Sequence, residues 1–167
     1  MNDTYLTNEQ IDDLRKKISV FSSKLLEVPY EYGAEWLDNK VQPKSLDCSE
    51  LVEGVYNHFG LRMPDGSQNQ FYFTKSCSDP RDGDLAFFGR GAKETQIYHV
   101  GLVYGENILE ARGYQPGSSF KTGEVILRPR DKWEQYRNWV GYRSHPKLIY
   151  HKRSSDMVIA PRQNNVA

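Results

Sequence analysis

Leu46-Asp47-Cys48-Ser49-Glu50-Leu51-Val52 puts an acid and a cysteine where an apolar-periodic segment begins. Asp47 has the side chain that accepts hydrogen bonds from the unpaired amides of a first helical turn, and Glu50 follows at capping-box spacing. Leu51, Val52, Val55, Tyr56 and Phe59 recur at intervals of three and four, and Gly60 supplies a stop. The spacing predicts a helix that starts at Cys48, buries one stripe and turns its amino end toward solvent or a cleft. A thiol there meets the positive end of the helix dipole, which favours thiolate, so Cys48 is a candidate nucleophile. A lone cysteine on an apolar helix also reads as a buried structural residue, and a second motif must separate the two.

That motif is Ile97-Tyr98-His99-Val100-Gly101-Leu102-Val103-Tyr104, a strand pattern rich in β-branched and aromatic residues. Gly105-Glu106-Asn107 reads as a turn, and Ile108-Leu109-Glu110-Ala111-Arg112 as the returning strand. If the hairpin turns on Gly105 and Glu106, Tyr104 pairs with Asn107. Glu110 then lies opposite Gly101 and diagonal to His99 on the same face. A three-residue turn would put Glu110 on the other face. In the first register the carboxylate orients the imidazole, as the third member of a nucleophile, base and orienter set does. Read singly, His99 is an ordinary half-buried strand histidine and Glu110 a solvated edge charge.

Together, Asp47-Cys48-Ser49 opening a helix, Asp82-Gly83-Asp84-Leu85-Ala86-Phe87-Phe88 and His99-Val100-Gly101-Leu102-Val103 resemble the NlpC family of papain-like cysteine peptidases, which cut bacterial cell-wall peptides. Pro29-Tyr30-Glu31-Tyr32-Gly33 is similar to the family's segment before the cysteine, and the likeness spans about residues 28 to 113. The resemblance implies Cys48 as nucleophile, His99 as base, Glu110 at the third polar position and Tyr30 as a site wall near the oxyanion. It implies a cysteine endopeptidase acting on peptidoglycan peptides without a cofactor. Two positions depart from the pattern. Glu50 stands where the family usually has glycine, where a carboxylate opposes thiolate formation and occupies substrate space. Glutamate replaces the usual histidine or amide at the third position. An alternative follows from the family's occurrence in phage tails: a structural or docking part of such an assembly with little turnover.

With 167 residues the chain has single-domain size. Twenty-two basic residues balance 22 acidic ones, leaving no global field for nucleic acid or an anionic membrane. There is neither an apolar run of bilayer length nor a basic-then-apolar start. The expectation is a protein made in the cytoplasm and carried to the wall by another assembly, such as a virion tail. Cys48 and Cys77 are the only cysteines, which argues against a disulfide framework, and a bridge between them would disarm Cys48. Histidines 58, 99, 145 and 151 are scattered, so no metal site is expected.

Thr7 to Glu27 reads as an amphipathic helix with Thr7 and Gln10 at capping-box spacing and Ile11, Leu14, Ile18, Phe21 and Leu25 on one face. Its expected task is to cover the core. Tyr30 to Pro43 reads as a loop, with Trp36 either walling a cleft or anchoring the loop. The resemblance implies a short helix near Ser67 to Tyr72, with Gln68 or Gln70 near the cleft, and Gly89 to Lys93 forms a candidate cleft rim. Glu124 to Leu127 and Trp139 to Tyr142 read as strands, and Trp133 to Tyr136 as a helical turn. The expected architecture is α+β: a papain-like domain, its N-terminal helices packed on an antiparallel sheet. Residues 1–27 form the N-terminal helix of that domain, 28–150 its catalytic part and 151–167 a polar tail of the kind that is usually disordered, with docking on another subunit as the alternative.

Overall fold

The structure, a computed structural model, describes residues 4–114, 117 and 122–152. The polar tail from residue 153 on lies outside the described residues, as does most of Tyr114 to Lys121, whose Gly and Ser content reads as a loop. Helices α1 (Asn8–Ser23), α2 (Cys48–His58) and α3 (Ser67–Phe73) precede most of the sheet. The strands are β1 (Lys75–Cys77), β2 (Leu85–Gly89), β3 (Ile97–Tyr104), β4 (Asn107–Gly113), β5 (Gly123–Pro129) and β6 (Trp139–Ser144). A short helix α4 (Arg130–Glu134) joins β5 to β6. The sheet is antiparallel, in the order β1-β6-β2-β3-β4-β5. No helix among the described residues is long and apolar enough to cross a membrane.

Alternation along the strands builds two apolar layers. Leu85, Phe87, Val100, Leu102, Leu109, Ala111 and Val125 join Leu51, Val52 and Val55 of α2 and Ile11 and Ile18 of α1 in the main core. On the other face Ala86, Phe88, Val103 and Ile108 surround Trp133 of α4, which is fully buried.

Helix α1 begins as its sequence predicts. The Thr7 hydroxyl accepts from the Gln10 amide, and the Gln10 side chain accepts from the Thr7 amide. It stops at Ser23 rather than Glu27, and the chain reverses through Glu27 at φ 69°. The helical turn expected at Trp133 to Tyr136 begins three residues earlier, and the short strand β1 is an addition to the sequence reading.

The apolar stripe of α1 also carries a charge, because Arg15 falls four residues after Ile11 and three before Ile18. Its guanidinium is buried, pairs with Asp84 at 2.9 Å and donates to the carbonyls of Asp82 and Leu148 at 2.8 Å. Asp84 also accepts from the Arg81 amide at 2.8 Å. Removing one partner of such a buried pair strands the other, at a cost of about 3–5 kcal/mol. Arg15→Met is therefore expected to lower the free energy of urea unfolding by ~3 kcal/mol or more, and a loss below ~1 kcal/mol would refute this anchoring role.

Candidate active site

Cys48 is the first residue of α2, and several bonds fix the direction of that helix start. The Asp47 carboxylate accepts from the Glu50 amide at 2.8 Å and the Gly33 amide at 3.1 Å. Tyr30 and Leu46 form a parallel bridge, which sets Tyr30 beside the helix start. Gln70, fully buried, donates to the carbonyls of Ser49 at 2.9 Å and Pro64 at 3.0 Å.

Only half of the capping box expected at Asp47 and Glu50 is present. The Glu50 carboxylate accepts instead from the Trp36 amide, so it ties the preceding loop to α2. Trp36 anchors that loop. Its indole donates to the Val41 carbonyl at 2.8 Å, stacks on Phe21 at 6.1 Å and covers Gly54, where a Cβ would meet the ring at 2.1 Å. Glu50 thus spends its carboxylate on the loop backbone. Gln68 holds backbone too, accepting from the Ile97 amide at 2.8 Å at the start of β3. Neither Gln68 nor Gln70 lines the cleft beside His99.

The β3–β4 hairpin turns on Gly105 and Glu106, with Tyr104 opposite Asn107 and Leu102 opposite Leu109. This register brings the His99 and Glu110 side chains together, with His99 Nε2 2.7 Å from Glu110 Oε2. Gly101, the residue opposite Glu110, leaves room for Ile108 and Trp133. A Cβ there would come within 2.4 Å of Ile108 and 3.1 Å of Trp133. Glu110 is no solvated edge charge: its side chain is 0% exposed. Its second cation is Arg128 on β5, with Nε 2.9 Å from Oε1 and Nη2 donating to Oε2 at 3.2 Å. Trp133 stacks on His99 at 5.4 Å and lies 5.0 Å from the Arg128 guanidinium, so one indole backs both cations.

The Cys48 thiol lies close enough to His99 to act on its titration, through hydrogen bonding and charge. Burial pulls the imidazolium downward, but hydrogen bonds and charge interactions with Cys48 and Glu110 outweigh it and raise His99 to about 9. Burial, then the nearby Cys48 and Asp47 charges, push the Tyr30 hydroxyl up. The cleft of about 490 Å³ beside His99 is lined by Tyr30, Phe88, Tyr98 and four arginines, among other residues. Arg90, in the loop expected to form its rim, is one of them. Cys48, His99, Glu110 and Tyr30 are therefore gathered at one place, and both cysteines are free thiols. Arg128 is the site residue that sequence reasoning missed. Its signal is the alternation Glu124, Ile126, Arg128, legible once Ile126 is known to pair with Glu110.

The fold also gathers Glu50, Glu53 and Asp65, with one oxygen of each within 4.8 Å of the others, a cluster that sequence spacing did not announce. Burial, then the charges of Glu50 and Asp65, push the Glu53 carboxyl up to about 7. A carboxyl raised in the folded state favours folding below its unfolded value, and that contribution is lost as pH rises through about 7. Glu53→Gln is therefore expected to raise the thermal midpoint near pH 8 and to lose this advantage near pH 4, as followed by scanning calorimetry across that range. An equal midpoint at both pH values would refute it.

Comparison with known proteins agrees with this geometry. Residues 27–117 match the model of the NlpC/P60 family. Over 80 residues the chain is 34% identical to the bifunctional muramidase/DL-endopeptidase CwlT of Bacillus subtilis, a match covering 46% of this chain and 22% of CwlT. The fold is similar to an NLP/P60-family, lipoprotein-like protein of Staphylococcus aureus, with a TM-score of 0.61, 21% identity, and coverage of 91% of this chain and 46% of that one. It is also similar to RipD of Mycobacterium tuberculosis, described as a non-catalytic NlpC/p60 domain protein adapted to peptidoglycan binding. There the TM-score is 0.57 at 17% identity, covering 78% of this chain and 95% of RipD. Matched over more than half its length by the family model and built on the same fold, the chain belongs to the NlpC/P60 family.

Proposed function

We propose that this chain is a cysteine endopeptidase that hydrolyses an amide bond in peptidoglycan stem peptides through a thioester. The observation that carries the reading is the set gathered beside an open cleft, with His99 bonded to the buried Glu110 carboxylate and acted on by the Cys48 thiol. A domain adapted only to binding has no need of a thiol beside an imidazole that is itself backed by a buried carboxylate.

In this mechanism the Cys48 thiolate attacks the carbonyl carbon, and its sulfur–carbon bond forms as the carbonyl electrons move onto oxygen. The Cys48 amide, first in α2 and without an intrahelical acceptor, and the Tyr30 hydroxyl stabilise that oxyanion. The tetrahedral intermediate collapses, the carbon–nitrogen bond breaks, and the His99 imidazolium protonates the leaving amine. Neutral His99 then takes a proton from water, which attacks the thioester and releases the acid and the thiolate. Glu110 holds the ring through Nε2, which leaves Nδ1 for the sulfur and the amine.

Peptidoglycan incubated with the protein should release stem-peptide fragments identifiable by mass spectrometry, and Cys48→Ala should release none. His99→Asn should lower kcat/KM by at least ~10³-fold, since the pair acts as a unit. With His99 raised to about 9, kcat/KM should fall above that pH, as the imidazolium that protonates the amine is lost. Wall fragments bound but left uncut by the native protein would overturn the endopeptidase reading in favour of a binding domain.

A further inference from the structure

Four guanidiniums, from Arg90, Arg112, Arg128 and Arg137, line the cleft beside His99, and no carboxylate among the described residues does so. Glu110 balances Arg128. The other three are in no ion pair among the described residues, whereas the chain as a whole carries formal net charge zero. Positive charge has therefore been concentrated here by the fold.

The arginines are also arranged. The Arg90 guanidinium lies 4.3 Å from the centre of the Tyr98 ring, whose hydroxyl accepts from Asn138 Nδ2 at 2.9 Å, so aromatic stacking holds Arg90 in place. Arg112 follows Glu110 by two residues on β4 and so shares its face. Its charge, after burial, helps pull Arg128 downward, as expected of two cations kept side by side. Like charges held together in a partly enclosed cleft focus a positive potential, which an anion relieves. Planar forked donors match the paired oxygens of a carboxylate, as they do those of a phosphate, and stem peptides carry carboxylates.

We propose that Arg90, Arg112 and Arg137 form a carboxylate-binding subsite that makes the protein selective for stem peptides with free, unamidated carboxyl groups. The proposal rests on the endopeptidase reading for the identity of the substrate, but the subsite binds without turnover. Discrimination works in two ways. A carboxylate gains charge-assisted bonds, and a carboxamide in its place leaves the guanidiniums unneutralised.

The test uses the full chain with Cys48→Ala, titrated calorimetrically with two synthetic stem peptides that differ only in bearing carboxylates or carboxamides. The carboxylate peptide should bind ~10-fold or more tightly, and the margin should shrink with added salt. Arg90→Gln with Arg137→Gln, both at exposed positions, should bring the ratio toward one, and Arg112→Gln alone should reduce it. A second arm uses glycerol-phosphate oligomers. Tight binding of these with no preference between the peptides overturns the proposal and assigns the charge to phosphate. Equal peptide affinities, or a preference that survives all three substitutions, also overturn it. A native protein that prefers the carboxylate peptide but cuts neither refutes the endopeptidase reading and leaves the subsite standing.

Discussion

A carboxylate removed from water is tolerated only with close partners, and Glu110 is such a group. Its partners come from both neighbouring strands, His99 of β3 and Arg128 of β5. Three strands must therefore keep one register. A slip of one residue in β4 would turn Glu110 into the layer held by Leu109 and Ala111 and bring apolar side chains toward two cations. Trp133 makes the same demand from above, filling the space that Gly101 leaves open and stacking on His99. The hairpin turn, the missing side chain at Gly101, the indole and the ion pairs thus express a single constraint, and the orientation of the His99 ring is its product.

The Cys48 side is fixed by other means. Asp47 caps α2 and holds the Gly33 loop, Glu50 holds the Trp36 amide, and Gln70 secures Ser49 from α3. Each bond joins a side chain to backbone, which leaves little rotational freedom where the sulfur must point. Glu50 acts as a loop anchor here, and a glycine in its place would lose that tie.

Much of this was legible in the chain itself. Asp47 before an apolar-periodic run announced α2, Thr7 and Gln10 announced α1, and Gly105-Glu106 between two β-rich runs offered, as one of two registers, the one that joins His99 to Glu110. What escaped were charges on buried stripes. Arg15 reads as a polar break in an amphipathic helix, because periodicity ranks it by side-chain type and its partner Asp84 is 69 residues away. Arg128 escaped because the stretch between Gly113 and Gly123 is too long for its Pro116-Gly117 pair to fix how β5 registers on β4, and the arginines of the cleft come from separate loops and strands. Local pattern reports which face a residue occupies. Which ions meet on that face is decided by the tertiary fold.

The Arg15–Asp84 pair bears on how such a module can be transplanted. The family match begins at residue 27, after α1 has ended, yet α1 supplies the cation for a carboxylate at the start of β2 and buries Ile11 and Ile18 in the main core. A graft cut at the edge of the match would carry Cys48, His99 and Glu110 and still lack the counterion of its own sheet. The folding unit of this chain is longer than the segment that the family model matches, and a chimaera preserving the fold must begin ahead of the Thr7 cap.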